Sequence, residues 1–328
     1  MNIYDIAKEA GVSIATVSRV LNNKGTVSAA TRARVEAILK QNNYTPSAIA
    51  RGMVSKSMRT VAVLTVDIRV PHYARTAYTI EREFSRRGYE VILCNTGGDR
   101  GETLRYLQVV NQKQVDGIVL VGSVFDTICQ GAEMEKLLSG VPVVLANGKL
   151  DLPNAYSVAV DDKYGVSLAV EHLAERGRQN VYYIKDRDTD SAKAKRDGFL
   201  EAMRRHGLAF ADHVLEAGET LEDAVNAMQA LLAQGIVPDG IVCGEDLTAA
   251  GALKALLRAG LRVPEQVAVV GFNNSDYAHL CEPVLTSIDN KPEQVALLCV
   301  QLLESRIERS EAYSSVVLQP ELAQGETS

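Results

Sequence analysis

Apolar positions along this chain follow two rhythms. Over residues 3–41 they recur at helical spacing: Ile3, Ile6 and Ala7, then Val12, Val17, Val20 and Leu21, then Val35, Ile38 and Leu39. This predicts three short helices, the first two crossing as in a helix-turn-helix. Gly11 marks the turn, where a positive φ carries no Cβ penalty. Ser13 and Ser28 stand where the second helix and the third (28–41) need N-caps. Tyr44-Thr45-Pro46 ends the third, because the residue before Pro is pushed out of the α region. From Thr60 the rhythm changes. Short apolar runs at 60–66, 90–94, 117–121, 142–146, 181–184, 240–243 and 267–271 predict strands. Amphipathic stretches such as 73–87, 102–113, 163–176 and 245–259 predict helices between them. Gly88, Gly177, Gly207 and Gly260 are placed to end helices. Apolar strands separated by helices imply parallel sheets covered on both faces. The fold class is therefore α/β, with a small all-α head before a larger body.

Charge sharpens this division. The chain carries a net charge of −6. Residues 1–58 hold eight Lys/Arg against three Asp/Glu, a net +5, which leaves −11 for the rest. A basic head on an acidic body directs the head toward phosphates. The outward face of the second helix adds Ile14, Ala15, Ser18, Arg19 and Asn22, side chains that can approach base edges and phosphates closely. Between head and body, 47–57 (SAIARGMVSKS) is too short and too rich in Ser and Gly to be a stable free helix.

The stretches IYDIAKEAGVSIATVSRVLN, VSAATRARV and NYTPSAIAR resemble the head of the lactose-repressor (LacI/GalR) family of bacterial transcription factors, and the resemblance continues through the body. It implies a DNA-binding head (1–45), a hinge (46–59) and an effector-binding and dimerisation body (60–328). The body would resemble periplasmic sugar-binding proteins, with subdomains of about 60–161 plus 291–319 and 162–290 plus 320–328, and crossings near Asp161–Asp162, Asp289–Asn290 and Gln319–Pro320. In the head it implies Ile14, Ala15 and Arg19 as base readers, with Tyr4, Thr16, Ser18 and Asn22 on phosphates. Met53, where the family usually has Leu, would be the hinge side chain that wedges into the minor groove. The partners implied are a pseudo-palindromic double-stranded DNA operator, a small-molecule effector and a second copy of the chain.

Open α/β sheets bind ligands beyond the carboxyl ends of their strands. The candidates there are Asp67, Tyr73, Ser123, Phe125, Asn147, Arg196, Glu245, Asp246 and Asn273. An Arg fork, carboxylates and amides suit hydroxyl groups, and aromatic rings suit an apolar sugar face. By resemblance Arg196, in KRDGF, is the gripping arginine. The sequence departs from the family at Asn273 and Asn147, where Asp is usual, and at Glu245, where Asn is frequent.

Other chemistries find little support. Cys94, Cys129, Cys243, Cys281 and Cys299 form no CxxC pair and read as reduced, buried thiols of a cytoplasmic protein. No metal cluster or cofactor is expected. There is no Walker A loop, GxGxxG, HExxH or GxSxG motif. Asp161–Asp162 and Asp188–Asp190 read as caps or loop charges rather than acid/base pairs. No apolar run approaches membrane-spanning length and no signal peptide is evident. The function expected is a sequence-specific regulator, not an enzyme: a repressor of carbohydrate-metabolism genes controlled by a sugar or sugar-phosphate. The alternatives are a nucleobase-responsive regulator and, remotely, a solute-binding protein.

Overall fold

A computed structural model describes residues 3–21, 25–42, 57–310 and 315–328. The chain forms two compact units, 1–59 and 60–328. In the first, helices α1 (Ile3–Ala10), α2 (Ile14–Leu21) and α3 (Ala29–Gln41) enclose a core of Ile6, Ala7, Ala10, Val17, Val20 and Val35. Ile3, Val12, Leu21, Ile38 and Leu39 pack around its edge. Gly11 adopts φ 61°, and Ser28 caps α3 by accepting from Thr31 N–H at 3.2 Å. The hinge prediction over 46–59 lies mostly outside the described residues.

The second unit contains two six-stranded sheets. In order along the chain, its elements open with β1 (Thr60–Thr65), α4 (Pro71–Arg86), β2 (Glu90–Asn95), α5 (Arg100–Gln112) and β3 (Gly117–Val121). Next come α6 (Phe125–Ile128), α7 (Ala132–Leu138), β4 (Val143–Ala146), β5 (Ala155–Val160) and α8 (Asp162–Glu175). They continue with β6 (Val181–Lys185), α9 (Asp190–Arg205), β7 (Val214–Glu216), α10 (Leu221–Ala233), β8 (Gly240–Cys243) and α11 (Asp246–Arg258). The last are β9 (Ala268–Phe272), α12 (Asp276–Leu280), β10 (Thr286–Asp289), α13 (Pro292–Ile307), β11 (Ser315–Leu318) and β12 (Glu321–Ala323).

The first sheet has the order β11-β5-β4-β3-β1-β2 and the second β12-β10-β9-β8-β6-β7. Every pairing is parallel except the antiparallel β10–β12 pair. The chain therefore passes between the sheets after β5, after β10 and after β11. Each lobe is one sheet with its helices.

Strand periodicity builds the cores. In the first lobe Val61, Val63, Val119 and Val121 pack with Phe84 and Leu303 on one face, and Ala62, Leu64, Ile118 and Leu120 with Leu107 and Met134 on the other. The second lobe repeats this with Tyr182, Ile184 and Ile241 on one face and Tyr183, Val242 and Phe199 on the other. Burial on both faces is why these strands are continuously apolar. Gly88, Gly177, Gly207 and Gly260 all have φ between 68° and 78°, as helix-ending glycines do.

The apolar pattern did not single out β5, β7, β10, β11 or β12. The strands β7 and β12 have only three residues each. In β10, Thr286 and Ser287 are fully buried but polar, so the strand carries little apolar signature.

Candidate functional site

In the head, α2 carries Ile14, Ala15 and Arg19 exposed, with Thr16 and Ser18 half-buried beside them. Ile14 with Ser18, and Ala15 with Arg19, are four residues apart and share a side of the helix. Tyr4 on α1 is 67% exposed. Ser13 Oγ accepts from Thr16 N–H at 3.2 Å and also lies 3.0 Å from Thr16 Oγ1. The cap thus engages the Thr16 hydroxyl as well, which the sequence pattern did not foresee. Asn22 and Met53 lie outside the described residues.

In the body a cleft opens between the two lobes at the carboxyl ends of their strands. Gly122 and Ser123 follow β3, Asn147 follows β4, and Asp162 follows β5. From the second lobe come Asp186 and Arg187 after β6, Glu245 after β8, Asn273 after β9 and Asn290 after β10. His72 and Tyr73 open α4, and Thr189, Ser191 and Lys195 belong to the start of α9. The lobes close until the cavity is only about 30 Å³.

Five residues expected at a ligand site line this cleft: Tyr73, Ser123, Asn147, Glu245 and Asn273. Asn147 and Asn273 adopt φ of 57° and 97°. Asn enters the left-handed region more readily than most residues with a Cβ, so both suit a chain that bends sharply off a strand.

Four others stand elsewhere. Arg196 does not line the cleft; its guanidinium donates to Asp197 at 2.8 Å on the surface. The reason is helical phase: Ala192, Lys195 and Phe199 face inward, and Arg196 lies about 100° round from Lys195. Phe125 is completely buried in the first lobe's core. Asp67 forms a fork with Arg69, at 2.7 and 3.0 Å. Asp246 lies behind the cleft wall, 1% exposed, accepting from Ser275 N–H at 2.6 Å and Ser287 Oγ at 2.5 Å. The carboxylate Asp161 caps α8, accepting from Tyr164 N–H at 2.9 Å, as the cap reading expected.

The residue that sequence reasoning missed is Arg187. Its Nε donates to Asp186 Oδ2 at 2.9 Å, and its Nη2 lies 3.2 Å from Glu245 Oε1 and 3.8 Å from Glu219 Oε2. The guanidinium is only 13% exposed. Gly244 makes room for this arrangement, since a Cβ there would meet Asp186 Oδ1 at 2.7 Å. The run KDRDTD reads as a solvated turn in sequence, but Arg187 lies two residues beyond β6, where the strand-end rule applies. Lys195 was missed too. Its ammonium donates to Gly244 O at 2.9 Å and sits 3.8 Å from the Phe272 ring centroid.

Burial and charge set the protonation here. Burial works against the Arg187 charge, but Glu245 and Asp186 outweigh it and keep the group protonated. Burial raises Glu245 above the usual carboxylate range despite Arg187, and lifts Asp246 to about 6. Burial, aided by Lys195 and Arg187, drops His72 to about 3, so its imidazole is neutral. Tyr73 rises to about 12, again through burial. Among the described residues no helix is long and apolar enough to cross a membrane, and no three side chains form a metal-binding group.

Residues 2–47 match the family described as bacterial regulatory proteins, lacI family, and residues 170–328 match the periplasmic binding protein-like domain. An HTH-type transcriptional regulator of Lachnoclostridium phytofermentans is 35% identical over 306 residues, covering 92% of each chain. The chain belongs to the LacI family of bacterial regulatory proteins. As a LacI-family protein it is a DNA-binding transcriptional repressor, and its relatives are regulators rather than enzymes. The ribose operon repressor of Halalkalibacterium halodurans is 34% identical, covering 94% of this chain and 90% of the relative. The HTH-type transcriptional repressor PurR of Pasteurella multocida is 30% identical, covering 98% and 96%. Among solved structures, a transcriptional regulator CelR–cellobiose complex superimposes with a TM-score of 0.73 at 28% identity over the whole of both chains.

Proposed function

We propose that this LacI-family repressor is controlled by a small hydroxylated effector of the sugar class, bound between the lobes of its body. The Arg187 network carries this reading. A buried guanidinium held by Asp186 and Glu245 offers a rigid set of donors and acceptors for vicinal hydroxyls. Asn147, Asn273, Asn290, Ser123 and Ser191 add neutral polar groups around it. Arg187 thereby takes the gripping role that the family resemblance implied for Arg196.

Two other effector classes fit less well. A purine needs flat rings to stack on, and Tyr73 with the adjacent His72 is the aromatic lining among the described residues. A phosphorylated sugar needs cations to spare, but Arg187 is committed to carboxylates and Lys195 to Gly244 O. The ribose-operon and cellobiose-bound relatives support the sugar reading, while the PurR relative supports the purine one. At about 30 Å³ the cavity is far below the ~300–1,000 Å³ of an open small-molecule cleft, so a ligand enters as the lobes part. The protein acts as a dimer on a pseudo-palindromic operator, with Ile14, Ala15 and Arg19 at base edges and Tyr4, Thr16, Ser18 and Asn22 on phosphates.

The test is operator binding during titration with free sugars, sugar phosphates and purines, in the wild type and two variants. Arg187→Ala is expected to abolish the response to a free sugar while leaving ligand-free operator binding near normal; Arg196→Ala is expected to preserve both. A response that survives Arg187→Ala and is lost in Arg196→Ala would overturn the assignment.

A further inference from the structure

The cleft holds more carboxyl groups than cations, and burial raises both Asp162 and Glu245, so their negative charge is under-compensated there. Asp162, Asp186 and Glu245 line it against two cations, Arg187 and Lys195, and Asp246 lies buried just behind. Both cations are already engaged, Arg187 by carboxylates and Lys195 by Gly244 O and the Phe272 ring. His72 is neutral and adds no positive charge.

The unsatisfied polar atoms point the same way. Asn290 is 4% exposed, and its amide nitrogen donates to Asn273 Oδ1 at 2.8 Å, which fixes the amide's orientation. Its carbonyl oxygen, Oδ1, is buried and has no hydrogen-bond partner. Asn147 Oδ1 is likewise buried and unpartnered, as is His72 Nδ1, which is an acceptor when the neutral ring carries its proton on Nε2. Surplus carboxylates with surplus acceptors call for an occupant rich in donors and positively charged.

We propose that the effector is a hydroxylated compound carrying a primary ammonium group, an amino sugar or amino polyol. Its hydroxyls meet the Arg187 network, and its ammonium lies among the surplus carboxylates and the Asn290 carbonyl. An ammonium brings three donors and no acceptor, and it removes one unit of uncompensated charge. A neutral polyol leaves that charge in place, and an anionic one deepens it. This inference rests on the sugar-class reading above.

The experiment is isothermal titration of the full-length chain with matched pairs: D-glucosamine with D-glucose and D-galactosamine with D-galactose. Their N-acetyl derivatives, ribose, ribose 5-phosphate and hypoxanthine complete the panel. The amino member of at least one pair is expected to bind about tenfold or more tighter than both its parent and its N-acetyl form. Asp162→Asn, at the cleft carboxylate that among the described residues accepts only from Ser191 Oγ, should remove most of that advantage, and Glu245→Gln serves if the first variant is not folded by circular dichroism. A parent or N-acetyl sugar that binds as well as the amine overturns the ammonium proposal and leaves the sugar reading intact. Binding of hypoxanthine or ribose 5-phosphate in place of every free sugar, or of no member of the panel, overturns both.

Discussion

Asp126 on α6 carries a carboxyl that burial lifts to about 7. Its Oδ1 accepts from Lys149 N–H at 2.7 Å, which opposes the rise, and Asp190 of the second lobe adds to it. The folded-state value lies above the ordinary 3.8, so the folded protein holds this proton more tightly than the unfolded chain. The resulting stability is fully present below about pH 4 and is lost as pH rises through about 7. Asp126→Asn keeps the acceptor for Lys149 and removes the titration. It is expected to raise the melting temperature at pH 8 and to change it little at pH 4. The gain should be of order 1–2 kcal/mol, because the group is partly solvated. Equal shifts at both pH values would show that the proton at Asp126 has no part in stability.

At the scale of elements, the cleft depends on how α8 and α9 meet. Gly198 lies on α9, three residues beyond Lys195, and a Cβ there would stand 2.3 Å from Lys163 O. The two helices approach this closely because the position has no side chain. Gly198→Ala must push α9 away from α8 or strain the backbone, at a cost of about 1–3 kcal/mol. Thermal melts should register that loss, and effector affinity should fall with it, since α9 carries Lys195. A variant with unchanged melting temperature and affinity would mean the helices separate freely. The pattern of apolar positions made α8 legible as a helix, but the contact that needs Gly198 joins α8 to the next helix and has no local signature.

At the scale of the whole molecule, the head is basic and the body acidic, +5 over residues 1–58 against −11 for the rest. Binding through such a head releases counterions from DNA. The logarithm of operator affinity is therefore expected to fall linearly with the logarithm of salt concentration, at about −0.9 per phosphate neutralised. With the roughly six to ten phosphate contacts usual for such proteins, affinity should drop by about 10³–10⁵ between 50 and 200 mM salt. Fluorescence anisotropy with a labelled operator measures this directly, and a flat salt profile would remove the phosphate-contact reading of the head.

By itself the sequence determined the class of each unit. Helical spacing around Gly11 and Ser13 defined the head, and apolar runs closed by helix-ending glycines defined the α/β body, because these are local effects of backbone and hydrophobic periodicity. It also pointed to strand ends as the place for a ligand, and Tyr73, Ser123, Asn147, Glu245 and Asn273 line the cleft there. Which arginine faces that cleft was decided only in three dimensions. Neighbouring positions on a helix differ by about 100°, so Lys195 turns inward while Arg196 turns out to Asp197. Arg187 gains its place from Asp186 beside it in the chain and from Glu245 58 positions further on, brought together because β6 and β8 are neighbours in one sheet. Sequence separation conceals such a pairing, and the parallel sheet creates it.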